Sequence, residues 1–126
     1  MIRQTVARVD LEALRSNFRT IAGLLAGRSQ IIAVVKANAY GHGAPQVALA
    51  LEAAGAAMLA CADIEEGIVL RDAGVRAPIL VFGAMSVSDL NGIFTHRLTP
   101  TISTPGAARA LQAAAARHGS GLQRCE

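Results

Sequence analysis

Short β-branched runs alternate with helical segments along nearly the whole chain, and that alternation restricts the fold more than any other feature. Ile31–Val35, Met58–Ala62, Pro78–Phe82 and Leu98–Ile102 read as strands, and the first has the apolar continuity of a strand buried on both faces. Helices fit between them. Asp10 is a natural N-cap for a helix in which Leu11, Leu14, Phe18, Ile21 and Leu25 recur at helical steps and which Gly27 closes. A second helix spans Pro45–Ala54 and ends at Gly55; a third runs from Asp63 to Ala73, with Glu65 and Glu66 in its first turn and Gly74 behind it. Ser86 or Ser88 opens a weaker helix, and Thr104 caps the alanine-rich helix Pro105–His118, followed by Gly119. Strands set roughly 20–27 residues apart with helices between them imply serial βα construction around a parallel sheet. An open doubly wound sheet and a (β/α)8 barrel both satisfy this pattern. A barrel needs roughly 250 residues, and these 126 residues hold about four βα units. After Gly119 the alternation stops, so the chain reads as one that breaks off partway through its sheet.

Composition removes several classes of function. Hydrophobic residues make up 52% and charged residues 17% of the chain, which argues for a packed domain over disorder. Ala37–Leu51, the longest stretch without a charged residue, contains Asn38, His42, Pro45 and Gln46. It is shorter than the roughly 18–20 apolar residues of a membrane span, so no membrane association is expected. The opening Met1–Asp10 lacks the apolar segment of a signal peptide, and Cys61 and Cys125 have no metal-ligand or redox spacing. A cytoplasmic protein with reduced thiols follows, with Cys61 a small buried hydrophobe. The net charge of +3 rests on scattered Arg and a single Lys, without a basic patch or aromatic platform, so nucleic acid is not an expected partner.

That single lysine, Lys36, stands immediately past the end of the first strand. Catalytic groups of parallel α/β folds gather at the C-terminal ends of strands. An amine desolvated there among Val and Ile is nucleophilic enough to form a Schiff base with an aldehyde. Tyr40, the only tyrosine, supplies a hydroxyl, and Gly41 and Gly43 let the loop Ala37–Gly43 pass close to a ligand before the next helix opens. A helix N-terminus favours a phosphate. Taken singly, each of these residues also fits an ordinary role: a solvated lysine, a packing tyrosine, turn glycines, a surface His42.

The string is more specific than its members. Val35-Lys36-Ala37-Asn38-Ala39-Tyr40-Gly41-His42-Gly43 resembles the pyridoxal-phosphate attachment motif of the alanine racemase family. The opening Ala7–Leu14, the segments Leu51–Ala56, Glu65-Glu66 with Leu70-Arg71, Ala73-Gly74 and Ala77–Val81 are similar to the family as well, and Thr99–Ile102 more loosely. The resemblance implies the N-terminal portion of a (β/α)8 barrel, residues 1–126 being a partial barrel domain. The rest of the barrel and the C-terminal β domain of a head-to-tail homodimer would lie beyond this chain. It implies pyridoxal 5'-phosphate as cofactor, bound covalently by Lys36, which also serves as the base on the D-alanine side; Tyr40 would hydrogen-bond the cofactor phosphate. Phe82 would line the cofactor pocket from the third strand, at a position where the family usually has an aliphatic residue.

The implied activity is interconversion of L- and D-alanine for peptidoglycan synthesis. Pyridoxal phosphate is an electron sink, so racemisation requires two acid–base groups on opposite faces of the substrate carbon. Lys36 can be one; the family's other is a tyrosine of the partner's C-terminal domain, outside this chain. A 126-residue chain without it is expected to be inactive alone. A broader-specificity amino-acid racemase and a non-catalytic, barrel-only pyridoxal-phosphate-binding protein are the alternatives. Relatives of the latter carry a different string around the lysine.

Overall fold

In a computed structural model, residues 4–83 and 90–119 are described. The helix start expected at Ser86 or Ser88, Cys125 and the stretch beyond Gly119 lie outside the described residues. The described elements run α1 (Leu11–Leu25), β1 (Ile32–Val34), a short helical segment α2 (Lys36–Tyr40), α3 (Ala44–Ala54), β2 (Met58–Cys61), α4 (Ile64–Asp72), β3 (Ile79–Val81), α5 (Asn91–Thr95), β4 (Thr99–Pro100) and α6 (Pro105–His118). The capping residues act as their types suggest. Asp10 accepts from the Glu12 and Ala13 amides, Asp63 from Glu66, and Thr104 from Ala107.

All strand pairs are parallel, and the sheet order is β1-β2-β3-β4. This order resolves the ambiguity of the sequence. A doubly wound sheet must reverse direction at a switch point, whereas each new strand here adds on the same side of the last, as in a (β/α)8 barrel. The protein is thus α/β, with the four-strand N-terminal portion of a barrel sheet.

The helices cover one side of that sheet. Leu59, Cys61, Ile79 and Val81 point into this layer and are buried against Phe18, Val47, Ala48, Leu51 and Leu70. Gly67 lies in the tightest part of the layer: a Cβ there would come within 2.9 Å of Leu98 Cδ1, so only glycine lets α4 sit this close to the chain entering β4.

Among the described residues nothing covers the opposite side, which corrects the reading of the first strand. Ile32 is 50% and Val34 42% exposed, because both point to the concave side, where these strands supply no covering layer. Two smaller corrections concern α1 and β4. Ala22, not Ile21, packs on the core; Ile21 is 53% exposed, since the helix meets the core along Leu11, Leu14, Phe18 and Ala22. β4 has only two paired residues, Thr99 and Pro100, shorter than Leu98–Ile102, with the Thr101 amide donating to Val81 O at 2.9 Å just past them.

Candidate functional site at the strand ends

Side chains alternate along a strand, so the concave face is lined in rungs. Val34, Ala60 and Leu80 pair across β1, β2 and β3, and the next inward positions are Lys36, Ala62 and Phe82. The structure brings two of the expected site residues together on that rung: Lys36 Nζ lies 5.5 Å from the centroid of the Phe82 ring. A cation over a ring face at this range gains on the order of 0.5–1 kcal/mol. Among the described residues the amine has no ion-pair or hydrogen-bond partner. Lys36 is half-buried, and Val34 beside it is open to solvent, so the desolvation expected from Val and Ile neighbours is not supplied by these four strands.

The ends of β2 and β3 close tightly beneath this rung. The Gly83 amide donates to the Ala62 carbonyl at 3.0 Å, and a Cβ on Gly83 would fall on that same oxygen. Position 83 is therefore restricted to glycine by contact, with no unusual backbone conformation required.

The chain that follows Lys36 is unlike the loop expected over Ala37–Gly43. Ala37, Asn38, Ala39 and Tyr40 have φ of 50°, 55°, 54° and 56°, a full turn of left-handed helix built without glycine. For L-residues this handedness costs roughly 1–2 kcal/mol per residue, and it is ordinarily seen one residue at a time. Such a turn persists only where its surroundings hold it. The Ala39 amide donates to Val35 O, and those of Gly41 and Gly43 donate to Asn38 O. Asn38 Oδ1 accepts from the Ala44 amide at 2.8 Å and so caps α3 from within the turn. His42 Nδ1 lies 3.0 Å from Ala39 O, a donor there in the tautomer that carries its hydrogen on that nitrogen. His42 thus braces the turn.

Tyr40 stands at the end of this turn, 60% exposed, with no hydrogen-bond partner among the described residues. Its hydroxyl is available to a ligand.

A residue that sequence reasoning passed over joins the turn to the next strand. Glu66 accepts the Ala37 amide on Oε1 at 2.8 Å and the Ala62 amide on Oε2 at 2.7 Å. The signal was the spacing Asp63-x-x-Glu66, which has capping-box form; here the glutamate accepts the amide just before its cap and reaches across to the turn after β1. Below it, burial pushes the Cys61 thiol up to about 12, with the nearby Glu66 and Asp63 charges adding to the shift. Cys61 is therefore an inert packing residue, as its sequence context suggested.

Comparison with known proteins agrees with this geometry. The family model described as "Alanine racemase, N-terminal domain" matches residues 9–124. Alanine racemase of Carboxydothermus hydrogenoformans is 45% identical over 101 residues, covering 80% of this chain and 27% of that protein. Alanine racemase 2 of Bacillus subtilis is 49% identical over 88 residues, covering 70% of this chain and 22% of that protein. Among solved structures, alanine racemase of Clostridium difficile superposes with a TM-score of 0.83 at 36% identity, over 86% of this chain and 29% of that one. The Bartonella henselae alanine racemase, solved with covalently bound pyridoxal phosphate, gives a TM-score of 0.80 at 27% identity, over 89% of this chain and 33% of that one. The chain spans about a quarter of the length of the curated relatives it matches. The match over residues 9–124 and the serial parallel sheet together establish that this chain belongs to the alanine racemase family, within its N-terminal domain.

Proposed function

We propose that the whole protein containing residues 1–126 is a pyridoxal-phosphate-dependent alanine racemase, and that Lys36 carries the cofactor. The observation that carries this reading is the sole lysine of the chain, placed at the C-terminal end of β1 with an amine on the concave face that has no hydrogen-bond or ion-pair partner among the described residues. The residues present fit pyridoxal phosphate. An amine with no partner among the described residues suits its aldehyde, the ring of Phe82 offers an apolar wall beside that amine, and the Tyr40 hydroxyl, also without a partner among them, suits its phosphate.

When bound, the cofactor withdraws electrons from the substrate carbon and makes its proton removable. The chain's own residues do the rest on one side. The Lys36 amine takes or returns the Cα proton on its face of the substrate, and Tyr40 fixes the phosphate. Inversion needs a second acid–base group on the opposite face, which we place in a later segment of the whole protein, contributed by the partner in a homodimer. We read residues 1–126 as a partial barrel domain, completed by further βα units and followed by a β domain. Filling the concave face in this way would desolvate Ile32, Val34 and Lys36 together.

The setting we infer is the cytoplasm, with D-alanine supplied for peptidoglycan, and with neither nucleic acid nor membrane as partner. Among the described residues no helix is long and apolar enough to cross a membrane. The test is to follow D-alanine formation from L-alanine by chiral chromatography with the purified whole protein and added pyridoxal phosphate. Turnover that requires the cofactor supports the reading. Cofactor binding without turnover of alanine contradicts the activity while sparing the site.

A further inference from the structure

Lys36 leaves β1 at the point where the chain changes hand. Val35 still has an ordinary φ (−124°), and Ala37 is the first residue of the left-handed turn. The direction of the Lys36 side chain is set by these two peptide planes. On the strand side, the Val35 carbonyl accepts the Ala39 amide at 2.9 Å, and one peptide earlier the Val35 amide is fixed to Ala60 O at 2.8 Å. On the turn side, the bond that ties the Ala37 amide to another element is the one to Glu66.

We propose that Glu66 is a positioning residue for Lys36: its carboxylate spans the Ala37 amide and the Ala62 amide and so aims the lysine at its cofactor. This rests on the reading of Lys36 as the residue that binds pyridoxal phosphate. The geometry is selective for a carboxylate. Both oxygens accept, and both donors are backbone N–H groups that cannot turn away. Glutamine offers one acceptor and would present its NH2 to the other donor. Aspartate keeps the charge but shortens the reach.

The base of the carboxylate is itself fixed. Glu66 lies in the first turn of α4, where its own amide donates to Asp63 Oδ1 at 2.8 Å. The bridge therefore runs from a capped helix end, through one side chain, to two neighbouring strand ends. It connects the inward rung of Ala62 and Phe82 with the backbone that presents Lys36, and it constrains the turn at its first strained residue.

The test compares Glu66→Gln and Glu66→Asp with wild type in the whole protein, with Lys36→Ala as a control. In cofactor-free wild type, amide exchange at Ala37 and Ala62 should be slow and similar. In both variants exchange over residues 36–43 should rise about ten- to a hundredfold, the loss of a charge-assisted hydrogen bond. With pyridoxal phosphate added, the visible absorbance of the lysine-bound cofactor should shift, and kcat for alanine should fall more than KM changes. Ala37 exchanging at the unprotected rate in wild type overturns the proposal without any variant. Lowered thermal stability with unchanged exchange over 36–43 and an unchanged spectrum would reduce Glu66 to a helix-cap residue, and would overturn it too. Failure of the underlying reading looks different: Lys36→Ala would retain the bound-cofactor absorbance while the exchange results stand.

Discussion

The two ends of the sheet are held by the same kinds of group toward different ends. At the N-terminal end, Arg71 donates to four backbone carbonyls, those of His96, Val75, Ala77 and Arg97, at 2.8–2.9 Å. Burial and the neighbouring Arg97 charge lower its pKa from the ordinary arginine value. Beside it Glu52 accepts the consecutive amides of Arg76 and Ala77, at 2.9 and 3.0 Å. These contacts fasten the entries to β3 and β4. At the C-terminal end, Glu66 also takes two amides, but one belongs to a strained turn, and among the described residues Lys36 and Tyr40 have no hydrogen-bond partner. One end uses its polar groups to complete the fold; the other keeps some in reserve. In parallel barrels chemistry gathers at the C-terminal end and stability at the other, and this chain shows the physical form of that division.

Substitutions at the two ends should therefore separate. The largest effect is Lys36→Ala in the whole protein, which should abolish covalent cofactor binding, read as loss of the visible absorbance after gel filtration, with thermal stability little changed. Arg71→Ala should do the reverse. Four carbonyls lose a charged donor, and we expect about 2–4 kcal/mol less stability by denaturant titration, with cofactor affinity unchanged in the folded fraction. A fall in cofactor affinity as large as that of Lys36→Ala would break the division between the ends.

Tyr40→Phe is the next test. A hydrogen bond to a charged phosphate contributes about 1.5–3 kcal/mol, or roughly ten- to a hundredfold in cofactor dissociation, and kcat should move less than this. Unchanged cofactor affinity would return Tyr40 to an exposed ring without a function. The smallest effect sharpens the account of strain. Ala37→Gly should relieve one left-handed residue while adding unfolded-state entropy, for a net gain of about 0.5–1 kcal/mol in stability. Destabilisation instead would mean that the turn is not held against its own preference.

The fold was legible where period and type coincide. Leu11, Leu14 and Phe18 mark a helix face, Asp10 and Thr104 mark helix starts, and the β-branched runs mark strands. Strand order was not legible, because alternation of elements does not state on which side each new strand adds. Ile32 and Val34 read as buried because an apolar side chain records the environment of a filled barrel, which these strands do not complete. The candidate site was marked by a string of residue types around Lys36. Its conformation was not: Ala-Asn-Ala-Tyr contains no glycine, the usual mark of positive φ, so nothing local announces a left-handed turn. Glu66 was legible as a first-turn helix residue, but its reach to the Ala37 amide was not, since a backbone amide carries no sequence signature.

The central claim is that Lys36 carries the cofactor. Borohydride reduction of the whole protein with pyridoxal phosphate, followed by peptide mapping, tests it directly. The account predicts a single phosphopyridoxyl adduct on the peptide containing Val35-Lys36-Ala37. An adduct on another residue, or none at saturating cofactor, would contradict it.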